Sequence, residues 1–142
     1  MTSAQEIPGK LQQLAMPAGR ILIALIFVLA GINKIIGYAG TQGYMESKGV
    51  PGALLPLVIL LEVGGGLAIM VGWQTRLAAL ALAGFSILAA IIFHNNFADQ
   101  NQMIHFLKNL SIAGGFLFLF AHGPGAYALD NRSGGNTANP DG

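Results

Sequence analysis

Few side chains in this 142-residue chain can do chemistry, and most of them fall inside or beside long apolar runs. Glu62 sits in the middle of one such run, between Leu55 and Val71. His94 closes the next run, and His105, Lys108 and Asn109 open the one after it. Asn33 and Lys34 end the first run, and Arg20 stands near its start. An ionised carboxylate in hydrocarbon costs several kcal/mol unless it is paired or protonated, so Glu62 calls for a cation, a proton or a ligand. Glu62 is the best candidate for a proton acceptor. Glu62, His94, His105, Lys108, Asn109 and Lys34 together form a candidate ligand-binding set, a few polar groups within an apolar bundle. Cysteine is absent. Disulfides, iron–sulfur ligation and thiol redox chemistry are therefore excluded within the chain. No His/Asp/Glu set with ligand spacing appears, and no metal is expected.

The elements that must carry these residues follow from composition. Hydrophobic residues make up 54% of the chain and charged ones only 9%, too few to coat a soluble domain of this size. Mean hydropathy is +0.61. Four apolar stretches, about 17–36, 53–72, 76–93 and 103–121, each cross a ~30 Å hydrocarbon core as a helix. Period-two alternation is missing, which argues against a membrane barrel. The expected fold is all-α, a four-transmembrane-helix antiparallel bundle with lipid around it. A net charge of +1 offers nothing to nucleic acid. The domain is read as residues 1–130, with 131–142 a disordered polar tail and the first sixteen residues resting on the membrane surface. In the loop between the first two spans, Thr41 caps a short helix ended by Gly49, with Pro51 beyond it. Lys10, Arg20, Arg76 and Arg132 share one side, against Lys34 and Lys48 on the other. The positive-inside rule then places both termini in the cytoplasm.

Helical spacing assigns faces. Arg20, Ala24, Phe27, Gly31 and Lys34 form one stripe of the first span, and Leu55, Ile59, Glu62, Gly66 and Ile69 one of the second. Gly31, Gly65, Gly66, Gly114 and Gly115 are read as helix-packing positions, since small residues let backbones approach. At ~1.5 Å per residue, Glu62 lies roughly 14 Å and Lys108 roughly 8 Å below the same boundary. Lys108 is the expected partner, with Lys34 and Arg20 as competitors. Arg20 and Lys34 otherwise read as interface anchors. A Glu62–Lys108 pair that only fixes helix register is the competing structural reading. His94 and His105 flank a short loop, and two such histidines are weak evidence for a bis-His haem, which is not expected.

Arg20…Gly31-x-x-Lys34, Glu62-x-x-Gly65-Gly66 with Gly72, and His94 together resemble the DoxX family of bacterial inner-membrane proteins. The most specific matches are Phe106-Leu107-Lys108-Asn109-Leu110 with Gly114-Gly115, and the closing Gly123-Pro124-Gly125-Ala126-Tyr127-Ala128-Leu129-Asp130. Ala128 departs from the serine common in that closing segment. The resemblance runs from Pro17 to Asp130. It implies a four-helix, multi-pass protein of the bacterial inner membrane with links to redox processes, in which quinone serves as electron acceptor in related subunits.

Lacking cysteine, the chain is not expected to complete a redox cycle alone. If catalytic, it would be part of a membrane oxidoreductase, with a quinone or a partner redox subunit carrying the electrons. A homo-oligomer is a further partner the reading admits. Two alternatives stay open: a small proton-coupled transporter, and a non-catalytic membrane scaffold for a partner complex.

Overall fold

The computed structural model describes residues 9–133. Four helices among them are long and apolar enough to cross a membrane: α1 (Gly9–Ile36), α3 (Gly52–Val71), α4 (Thr75–Phe93) and α5 (Gln100–His122). Between the first two lies α2 (Tyr38–Ser47), and α6 (Asp130–Ser133) closes the described chain. There is no strand among the described residues. Residues 1–8 of the leading segment and 134–142 of the polar tail lie outside the described residues. Residues 131–133, read as the start of a disordered tail, are helical instead.

Three boundaries differ from expectation for identifiable reasons. Helix α1 runs unbroken through Pro17 from Gly9, although proline favours a helix start. Its ring costs one backbone bond near an exposed end, where water can replace it. Helix α5 starts at Gln100 because the Asp99 carboxylate accepts from the Asn101 amide at 2.9 Å, an N-cap four residues ahead of the apolar run. Helix α2 starts at Tyr38, so Thr41 lies inside it and its hydroxyl donates back to the Gly37 carbonyl at 3.0 Å. Gly49, at φ +82°, follows the end of α2.

Helix α3 is not uniform. A 3₁₀ turn (Gly52–Leu54) leads into α-helix over Leu55–Ile59, then a π turn spans Leu60–Gly64 before α-helix resumes at Gly65. Glu62 is the central residue of the π turn. The helix ends in a Schellman motif. Gly72 takes φ +74°, its amide donates to Ile69 at 3.2 Å, and the Trp73 amide donates to Ala68 at 2.8 Å.

Successive spans are antiparallel. Arg20 in the first half of α1 meets Met70 at the end of α3, and His94 just past the end of α4 meets His105 near the start of α5. The bundle thus has a terminal end, with the α3–α4 turn and the C-terminal segment, and a loop end, with α2 and the 94–99 link. Arg20, Ala24, Phe27 and Gly31 are buried in α1, the stripe that spacing defines. Phe27 packs edge-on against Phe116 at 5.4 Å and Phe85 at 6.5 Å, over Ala79, Leu82 and Ala83 of α4.

Candidate functional site

The sequence leaves Glu62 in need of a partner, and at the loop end the Lys34 ammonium lies 2.7 Å from its carboxylate. Helix α1 reaches α3 closely enough because Gly31 lacks a side chain. A Cβ there would overlap Val63 and come within 3.3 Å of the Glu62 Cβ. Gly66 does the same one turn further along, where a Cβ would meet Val28 at 2.7 Å and the Ala24 carbonyl at 3.3 Å. These two glycines bring the backbones together at the level of the carboxylate. The π turn around Glu62 adds one residue to the helical circuit, an irregularity found often where a helix presents a functional side chain.

The pair is asymmetric towards its surroundings. The Glu62 side chain is 4% exposed and sealed between helices, whereas Lys34 is 29% exposed. Lys34 lines an open cleft of about 530 Å³ between the end of α1 and helix α2, together with Asn33, Gly37, Gly40, Thr41 and Tyr44. Lys34 is the charged group in that lining, so the cleft presents one cation, hydroxyl and amide groups, and two glycines in place of side chains. Tyr44 also stacks on Phe93 at 5.5 Å, which ties the cleft to the end of α4.

The other candidates divide. His94 is half-buried, its ring 5.1 Å from that of exposed His105 and its Nδ1 3.0 Å from Gln102 Oε1. This histidine pair follows Phe93 directly at the loop end, but does not line the cleft. Lys108 is exposed on α5 and Asn109 half-buried, and Glu62 pairs with Lys34 instead of Lys108. The depth estimate for Lys108 is compatible with pairing, but α5 packs chiefly against α4 whereas α1 lies on α3. Among the glycines, Gly65 faces Leu82 at an ordinary 3.4 Å and Gly115 faces the tip of Ile23. A Cβ on Gly114 would meet nothing within 4 Å, so this glycine brings no pair of helices together.

Arg20 corrects the anchor reading most plainly. It is 1% exposed, and its guanidinium donates to Ala126 at 2.8 Å, Tyr127 at 2.9 Å, Met70 at 3.2 Å and Ile69 at 3.4 Å. Those carbonyls belong to the end of α3 and to the C-terminal segment, so one planar fork ties both to α1. The backbone of the segment follows, with the Leu129 amide donating to Val71 and the Asp130 amide to Gly72. Asp130 then accepts from the amides of Gln74 at 2.7 Å and Thr75 at 2.9 Å, capping α4 from the far end of the chain. Burial would raise the Asp130 pKa, but the Thr75 and Gln74 donors and the Arg20 charge outweigh it and hold the carboxyl below its ordinary value. Sequence reasoning missed this role of Asp130, along with Thr41 and Tyr44 as cleft residues. Asp130 was visible only as the last residue of a glycine-rich segment.

Comparison with known proteins finds a family model and several similar chains. A family model described as DoxX matches residues 15–95, from within α1 to just past α4, and so includes Lys34, the cleft and Glu62. The chain is 56% identical over 121 residues to "Inner membrane protein YqjF" of Escherichia coli (strain K12), covering 85% of this chain and 93% of that protein. It is 37% identical over 131 residues to "Inner membrane protein YphA" of the same strain, covering 87% and 94%. A shorter match, 29% over 73 residues, covers 51% of this chain and 54% of "Putative oxidoreductase CatD" of Bacillus subtilis (strain 168). No solved structure matches the chain.

Proposed function

Because the chain belongs to the DoxX family, we propose that it is a redox-associated subunit of the bacterial inner membrane whose loop-end cleft binds a quinone-like ligand. The observation that carries this reading is the Lys34–Glu62 pair, with its cation facing an open cleft and its carboxylate sealed behind. Lys34 donates to a ligand carbonyl, and the Thr41 hydroxyl and Asn33 amide supply further polar contacts. Glu62 is the proton acceptor, since it is the buried carboxylate one residue removed from the ligand. His94 and His105 lie beyond the Tyr44–Phe93 stack and do not line the cleft. Lys108 and Asn109 take no part in this arrangement.

The electrons come from a partner redox subunit, because the chain has no cysteine with which to carry them. The name of the Bacillus subtilis relative, covering α-helical sequence shared with this chain, supports the redox association. Both termini lie in the cytoplasm, on the balance of Lys10, Arg20, Arg76 and Arg132 against Lys34 and Lys48. The ligand cleft then opens on the outer side.

Titrating the purified protein with short-chain benzoquinones, followed by calorimetry in detergent, tests the reading. Saturable binding that weakens roughly ten-fold or more in Lys34→Met is expected for loss of a charged hydrogen-bond donor. Absence of saturation with several quinones of different ring substitution would overturn it.

A further inference from the structure

The cleft and the carboxylate behind it share a single cation, and this has a consequence for what the site binds. Lys34 cannot neutralise two anions at once. We infer that the loop-end cleft binds a small organic anion through Lys34, and that Glu62 takes up a proton when the anion arrives. The inference deepens the proposed ligand site and rests on the reading of this cleft as that site.

Each part of the coupling has a structural basis. The Lys34 side chain is 29% exposed and lines the cleft, so a ligand can reach it without unfolding any element. The residues lining the cleft include no carboxylate to repel an anion. Among the described residues, Lys34 is the one cation within ion-pair distance of Glu62. On α1, Arg20 is engaged with four carbonyls at the opposite end of the bundle. Helix α4 carries no ionisable residue between Arg76 and its end, and α3 carries none besides Glu62. The ionisable residues of α2 and its C-cap are Tyr38, Tyr44, Glu46 and Lys48. Lys48 sits over the Tyr44 ring at 5.9 Å, while the Glu46 carboxylate borders Gly52. A carboxylate deprived of its partner in this apolar setting costs several kcal/mol, more than the cost of protonating it at neutral pH.

The balance is simple. An anion and one proton enter together, the anion settles on the Lys34 ammonium, and the proton sits on a Glu62 oxygen. Equivalently, a neutral acid enters and passes its proton to Glu62. No electron moves in this step, and the total charge of the site is unchanged.

Benzoate and its neutral counterpart benzamide provide the probes. Calorimetry of the full-length protein in phosphate and in Tris at one pH separates proton uptake from binding heat. Expected are benzoate binding roughly ten-fold or more tighter than benzamide and uptake of about one proton per benzoate. In Glu62→Gln the proton uptake disappears while benzoate binds more tightly, because Lys34 is released from its partner. The double variant Lys34→Met/Glu62→Gln, which leaves no unpaired charge to unfold the bundle, loses benzoate binding. Equal affinity for the two probes, benzoate binding without proton uptake, or no saturable benzoate binding each overturns the inference. Quinone saturation in the absence of benzoate coupling leaves the quinone reading standing alone. Benzoate coupling without quinone binding removes that reading and keeps this one.

Discussion

Glu62 and Lys34 form a pair whose two halves are not equivalent on mutation. Removing the cation in Lys34→Met strands a carboxylate that is 4% exposed, with an expected loss of about 3–5 kcal/mol. Removing both charges in Lys34→Met/Glu62→Gln restores most of that loss. Unfolding in a mixed-micelle denaturant series, read as a double-mutant cycle, measures the difference. Additive effects would show the pair to be uncoupled. The need for a partner at Glu62 was legible in the sequence, and so was Lys34 as a competitor for it. The choice of partner was not legible, because depth along a helix says nothing of which neighbour its face meets. That choice belongs to Gly31 and Gly66, which set α1 against α3. Asp130 makes a second test at this scale. Its folded pKa is depressed, so its contribution to stability is fully present above the unfolded carboxyl pKa and is lost as pH falls through the lower folded value. Asp130→Ala should cost about 1 kcal/mol near neutral pH, the usual worth of an N-cap. The difference from the parent should shrink below about pH 4. A pH-independent difference would separate Asp130 from the capping role.

At the scale of elements, helical spacing in α1 and α3 identified most of their buried stripes: Arg20, Ala24, Phe27 and Gly31 are buried as spaced, and so are Leu55, Glu62, Gly66 and Ile69, whereas Lys34 and Ile59 are half-buried. Glycine spacing was less informative. Gly31, Gly66 and Gly114 are alike as letters, yet only the first two meet a neighbouring backbone or branched side chain. Gly31→Val and Gly66→Val should each destabilise the bundle by roughly 1–3 kcal/mol through overpacking. Gly114→Ala should stay within about 0.5 kcal/mol, because its Cβ enters open space. The same denaturant series distinguishes them, and a large loss at Gly114 would mean that this face of α5 is covered. The π turn of α3 could not be read from the sequence. A single extra residue in the circuit changes the period only locally, and Leu60, Leu61 and Val63 fit either register. Glu62 lies at its centre and pairs with Lys34 of α1.

For the molecule as a whole, four spans and two ends follow from composition and short links, while the closure of the terminal end does not. That closure depends on Arg20, which sequence spacing alone would leave at a membrane boundary. Burying it is sustainable because four carbonyls from two separate segments accept its hydrogen bonds. The chain contains no cysteine, so single cysteines report sidedness directly. With both termini in the cytoplasm, Asn96→Cys should react with an impermeant maleimide in intact cells and Gln13→Cys only after lysis. The reverse pattern would invert the proposed topology. Arg20→Lys tests the closure without changing the charge that sets that topology. A lysine ammonium is a single point with three donors, whereas the guanidinium spreads its donors over a plane wide enough to reach α3 and residues 126–127 together. The C-terminal segment should therefore detach locally while the four spans persist. Amide exchange at Leu129 and Asp130, whose N–H groups bond Val71 and Gly72, should accelerate roughly ten-fold or more, since each 1.4 kcal/mol lost from a local closure is a factor of ten in its opening constant. Exchange in the middle of α4 should change far less, because Ala79, Leu82 and Ala83 stay packed against Phe27 and Phe116. Unchanged exchange at Leu129 and Asp130 would show that the segment is held by its backbone bonds and the Asp130 cap alone. Equal acceleration throughout the spans would make Arg20 a determinant of the whole bundle, beyond its terminal end.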